Sequence, residues 1–114
     1  MPIYHETITK TAVSKAALEV VLPPRDLGTL PRRALSFTNT GVLALASAKI
    51  QVGPTATGPW FDEDLTGHAL LTLGAGASCV YRMDRVDRWV QVQAQGAAGE
   101  GQSDLTIYID ALGS

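Results

Sequence analysis

This sequence predicts an all-β chain, an antiparallel β-sandwich of about eight strands, and three observations carry the prediction. Apolar and polar residues alternate at period two in several separate segments, the pattern of a half-buried strand. Turn residues recur about every eight to twelve positions between those segments. No segment spaces its apolar residues as an amphipathic helix would. Eight strands in two sheets fit a jelly roll; an immunoglobulin-like order competes, because strand order cannot be read from one sequence. At 114 residues the chain is one domain. Residues 1–15 are expected to be an extended N-terminal arm or an edge strand, and residues 16–114 the sandwich.

In residues 1–15, Thr7, Thr9 and Thr11 favour extended backbone. The apolar residues Ile3, Tyr4, Ile8 and Val13 do not keep to one face, so the segment is not a central strand. As an arm it would reach a neighbouring subunit, with Tyr4 and Ile8 as its contact residues. Residues 16–22, AALEVVL, tilt to strand because of Val20-Val21, and Pro23-Pro24 are expected to end it. Residues 23–32 read as loop, given three prolines and Gly28. Residues 34–40 alternate cleanly, with Leu35 and Phe37 inward and Ser36 and Thr38 outward, and Asn39-Thr40-Gly41 turns the chain.

Residues 42–52 make the longest strand candidate, but Leu43 and Leu45 lie on one parity and Ala48, Ile50 and Val52 on the other. A bulge near Ser47 would restore the phase; burial of both faces is the alternative. Gly53-Pro54 and Gly58-Pro59 bound a hairpin, which Trp60-Phe61 follow, and 62–67 is a polar connection. His68 to Leu73 is expected as the next strand. Residues 78–84 place Cys79, Tyr81 and Met83 on one face, with Val80 and Arg82 on the other. Residues 87–96 direct Val90, Val92 and Ala94 inward and Trp89, Gln91, Gln93 and Gln95 outward. After a flexible loop, 104–112 closes the chain with Leu105, Ile107 and Ile109 inward.

Composition narrows the function. A net charge of −2 without a basic cluster argues against nucleic acid as partner. The longest apolar run, 42–46, is too short to span a membrane. The N-terminal MPIYHETITK has no apolar signal region, so synthesis into a cytosol is expected. A single cysteine, Cys79, excludes an internal disulfide and a cysteine zinc site; it reads as a small buried hydrophobe. Charged residues are only 18%, which suits either a surface partly covered by a partner or a small domain rich in Thr, Ser and Gln.

Catalytic candidates are thin, and no enzyme, cofactor or metal is expected. His68 reads as a rim histidine; it would matter catalytically only within hydrogen-bond reach of Asp62 or Asp64 in a pocket. Residues 74–78, GAGAS, lack the lysine and helix of a phosphate loop. Asp62, Glu63 and Asp64 read as a solvated acidic loop rather than a calcium site. The aromatics say more. Trp60, Trp89, Tyr81 and Tyr108 could line a sugar-stacking surface, though Trp60 reads first as a core plug. Trp89, predicted outward beside three Gln, suits a carbohydrate site or a protein anchor. Arg82, Arg85 and Arg88 next to it would form either surface ion pairs or a docking face with Trp89.

The segments IQVGPTATGPWFD (50–62), LLTLGAGASCVYRMD (70–84), DRWVQVQAQG (87–96) and DLTIYID (104–110) together resemble small β-sandwich proteins of tailed bacteriophages. Their succession of strands and turns is similar to jelly-roll capsid decoration, or cement, proteins, and somewhat to head–tail joining and tail proteins. The resemblance implies a structural virion protein without an active site. It would sit on the outer capsid surface, clamp adjacent major capsid protein subunits, and form a homodimer or homotrimer. Two other classes stay open on the residues: a carbohydrate-binding or adhesin module, and a small barrel-type enzyme with His68 beside Asp62 or Asp64.

Overall fold

Alternation fixes which residues of each strand face inward, and the pairing of the strands then fixes the fold. The computed structural model describes residues 3–28, 30–83 and 87–113. Among them, eight strands form two four-stranded antiparallel sheets. In chain order these are β1 (Ile3–Lys10), β2 (Glu19–Asp26), β3 (Arg32–Asn39), β4 (Leu45–Gly53), β5 (Phe61–Asp62), β6 (Ser78–Met83), β7 (Trp89–Gly96) and β8 (Leu105–Leu112). One turn of 3-10 helix, Ala69–Thr72, lies between β5 and β6. One sheet has the order β1-β8-β3-β6 and the other β2-β7-β4-β5.

The pairings nest: β1 with β8, β2 with β7, β3 with β6, β4 with β5. The chain is thus one long hairpin, rolled up until β3 also meets β8 and β4 also meets β7. That is a jelly roll. An immunoglobulin-like sandwich would instead group the first, second, fourth and fifth strands in one sheet.

The core lies between the sheets, in rows set by register. Ile8, Ile107, Phe37 and Cys79 make one row across the first sheet. Leu22, Val92 and Ile50 make a facing row in the second. Phe37, Ile107, Leu22, Val92 and Ile50 are wholly buried. Each such side chain contributes about 1.5–3 kcal/mol of apolar burial.

Three segments depart from expectation, each for a physical reason. β2 does not stop at Pro23-Pro24 but runs through them to Asp26. It is an edge strand, with register shifts between Val20 and Leu22 and between Leu22 and Arg25, and prolines are tolerated at edges and bulges. Residues 68–73 are not a strand. Leu70 and Leu73 are buried three positions apart, which matches a helix of three residues per turn. His68 caps that turn, its Nδ1 accepting from Leu70 N at 3.1 Å. The fifth strand is instead the two-residue β5, paired with Gln51 and Val52. The register shift in β4 falls between Leu45 and Ser47, which brings Leu45 and Ile50 into the same core as the phase argument requires.

β1 is an edge strand of the first sheet, and it is clamped to β2 across the open side of the sandwich. Arg25 Nε donates to Glu6 Oε1 at 2.8 Å, and the Tyr4 hydroxyl donates to the same oxygen. Burial, and then the Glu6 carboxylate, push the Tyr4 hydroxyl up to about 12. The Arg25 guanidinium holds the Glu6 carboxyl below the usual range. A carboxyl lowered on folding stabilises fully above its unfolded value, about 4.3, and stops doing so as pH falls through its folded value. Replacing Glu6 with Gln should therefore cost about 1 kcal/mol at neutral pH, the two side chains being 30% and 26% exposed, and progressively less as pH falls below about 4. Urea unfolding of both proteins across that pH range checks this. A gap that stays constant would show that the pair is not its source.

Candidate functional site

The outer face of the β1-β8-β3-β6 sheet carries side chains in ranks set by the register. Thr9, Thr106, Thr38 and Ser78 form the first rank. Thr38 Oγ1 and Ser78 Oγ lie 2.9 Å apart, and the two Thr hydroxyls of β1 and β8 lie 3.4 Å apart. Thr7, Tyr108, Ser36 and Val80 form the second. His5, Asp110, Ala34 and Arg82 form the third, where His5 Nδ1 and Asp110 Oδ1 are bonded. Ile3, Leu112 and Arg32 close the face. Tyr108 and Val80, at 42% and 50% exposure, stand out of a bed of short hydroxyl side chains. Such side chains lose little rotamer freedom on burial, and Tyr with Ser and Thr makes adaptable contacts. The face is four strands wide, and its first two ranks carry no charge.

At its Leu112 end the face hollows into an open groove of about 530 Å³. Arg32 and Arg82 flank it, with Ala34 between them, and Asp110, Leu112 and Pro31 complete the wall. Arg33 also lines it, from a position that points inward. The Arg33 guanidinium donates to the carbonyls of Leu30 at 2.6 Å, Gly28 at 3.1 Å, and Asp87. Burial lowers the pKa of this guanidinium.

The outer face of the other sheet is polar in a different way. Gln91 Nε2 donates to Gln51 Oε1 at 2.7 Å, and Gln51 Nε2 to Asp62 Oδ1 at 2.8 Å, a ladder across β7, β4 and β5. The ladder leaves Gln91 only 6% exposed, so the outward parity of β7 does not mean an open side chain. Trp89 is opposite Gly53 in the register and half-buried. Trp60 lies over the same glycine: a Cβ there would be 3.3 Å from Trp60 Cε3. Both tryptophans are thus neighbours of Gly53, Trp60 through its ring and Trp89 through its place in the register.

The residues expected to form one docking patch do not come together. Trp89 is on β7 and Arg82 on β6, in different sheets, with side chains on opposite outer faces. β6 and β7 follow each other in the chain but belong to different sheets, so nearness in sequence becomes separation across the sandwich. Arg88 is held in a two-pronged pair with Asp26, at 2.9 and 2.8 Å. Arg85 lies outside the described residues. Tyr4 and Ile8 do not reach outward; both are half-buried and pack on the core, because β1 is paired along its whole length. His68 meets neither Asp62 nor Asp64: its ring nitrogens contact Leu70 N and Val80 O, the latter at 3.0 Å. Asp64 accepts from Thr66 N. Cys79 packs against the core, and burial pushes its thiol up. Among the described residues no group of three or more His, Cys, Asp or Glu could hold a metal.

Sequence reasoning overlooked Arg32 as a site residue and weighed Tyr108 only as part of a sugar-stacking surface. The period-two parity gave Tyr108 an outward position, but only the β1-β8-β3-β6 order puts it at the centre of a face.

No protein-family model and no curated protein matches the chain. Among solved structures it is similar to the crystal structure of PirA, with a TM-score of 0.58 and 16% identity over 90% of this chain and 92% of that one. That likeness is one of fold. A second similar structure comes from Bacillus endospore appendages, described as a novel family of disulfide-linked pili, with a TM-score of 0.49 and 13% identity over 98% of this chain and 89% of that one.

Proposed function

We propose that this chain is a structural virion protein, a decoration protein that docks on the outside of an assembled phage head and bridges major capsid subunits as a homodimer or homotrimer. One observation carries the docking part of this reading: the broad outer face of the β1-β8-β3-β6 sheet, with Tyr108 and Val80 standing among short hydroxyl side chains. A lattice protein needs such a face and no active site, and weak contacts repeated over a shell add up by multivalency. The succession of strands and turns in residues 50–110 supports the phage assignment.

Sedimentation with expanded, undecorated heads tests it. The protein should pellet with the heads at micromolar concentration, and Tyr108→Glu, which changes only an exposed side chain, should stay in the supernatant while remaining folded. Wild-type protein left in the supernatant would overturn the reading.

Trp60 and Trp89, both neighbours of Gly53 and close to the Gln91–Gln51–Asp62 ladder in the register, favour a second reading as a carbohydrate-binding module. Under that reading oligosaccharides on a broad glycan array bind the protein, and Trp89→Ala abolishes the binding.

A further inference from the structure

We propose that the groove between Arg32 and Arg82 recognises a carboxylate side chain on an acidic peptide segment of a partner protein. Arg25 and Arg88 are each matched to a carboxylate, Glu6 and Asp26. Arg32 and Arg82 have no hydrogen-bond or ion-pair partner among the described residues. Register places them diagonally on one face: Ala34 is opposite Arg82, and Arg32 is two positions along the same strand. Diagonal neighbours of this kind lie roughly 7–8 Å apart, close enough for both long side chains to reach one anion. Ala34, a single methyl, leaves the space between them open.

The surroundings favour an anion. Arg33 adds a third, fixed positive charge; its hydrogen bonds go to carbonyls, and the two acids that act on it, Asp87 and Asp26, do not line the groove. Asp110, the one acid on the wall, is engaged by His5. Guanidinium forks match carboxylate geometry in two-pronged pairs.

The shape favours a segment over a small molecule. The groove is open to solvent on the sheet face, and a free small ligand would keep much of its surface in water there. A peptide can lay its carboxylate between the arginines and draw further contact from Leu112 and Pro31. The inference rests on the docking reading for which protein carries the segment, and the arginine chemistry stands apart from it.

Amide-detected NMR titration of the full chain, without heads, tests the site. The probe is acetyl-Ala-Glu-Ala-Glu-Ala-amide, with the Gln-for-Glu peptide and inorganic phosphate as comparisons. The Glu peptide should shift the resonances of Arg32, Ala34, Arg82 and Asp110, with a dissociation constant on the order of 0.1–1 mM. Each of Arg32→Gln and Arg82→Gln should weaken it about tenfold, and the paired change should abolish the shifts in a folded protein. Equal shifts with the Gln peptide, shifts elsewhere on the surface, or phosphate acting as strongly as the Glu peptide would each overturn the inference. Because heads are absent, failure here is separate from failure of head binding, which the Tyr108 variant reads.

Discussion

Asn39→Ala should lower the unfolding free energy by about 2–4 kcal/mol, a large share of the roughly 5–15 kcal/mol that holds a domain of this size together. Asn39 is wholly buried at the end of β3. Its Nδ2 donates to Leu43 O at 2.8 Å and Leu73 O at 3.1 Å, and its Oδ1 accepts from Gly41 N at 3.0 Å. One amide thereby fastens the turn into β4 to the end of the 3-10 helix. Truncation leaves three polar groups short of a partner. The two carbonyls keep one each, from Ser103 Oγ and Leu45 N, so the heaviest cost falls on the Gly41 N–H. Asn39→Asp should be worse, because it sets a carboxylate against those carbonyls. Urea unfolding measures both, and a loss under about 1 kcal/mol for Asn39→Ala would refute this account.

Gly53→Ala should cost about 2–3 kcal/mol and change the tryptophan fluorescence. A Cβ at Gly53 would lie 2.6 Å from Pro59 O, a backbone atom that cannot simply rotate away. The segment carrying Trp60 must lift off the sheet, and its indole with it. Gly74→Ala is the control, since a Cβ there meets nothing within 4 Å. Equal stability and emission for the two variants would mean that the close approach at Gly53 has no consequence.

These two sites mark what the sequence conceals. Period-two alternation made β3, β6, β7 and β8 legible, and the parity change in residues 42–52 gave away the bulge in β4. Those signals are local. Whether β2 could run through Pro23-Pro24 depended on its being an edge strand, which is a property of the whole sheet order. The 3-10 turn at Ala69–Thr72 hid because two buried leucines three apart in a six-residue stretch fit either period poorly. Asn39 looked like an ordinary turn residue, since its partners Leu43 and Leu73 are brought to it by tertiary structure.

The candidate site was less legible than the fold. Arg82 and Trp89 are seven positions apart, yet the crossing between sheets sends them to opposite faces. Arg32 and Arg82 are fifty apart, yet β3 and β6 lie side by side. Tyr108 gains its place from β1 and β3, which pair on either side of β8.

The pairing of Ile3 with Leu112 has a practical consequence. Ile3 and Leu112 lie side by side at one corner of the first sheet, beside Arg32, so a domain fused directly at either of them would start there. A tag or fused domain at either position would crowd the arginine groove. It would leave the Thr and Ser rank, six residues or roughly 20 Å along the strands, uncovered. A label meant to spare the groove belongs at the opposite end of the strands, in the loop at 97–102 between β7 and β8.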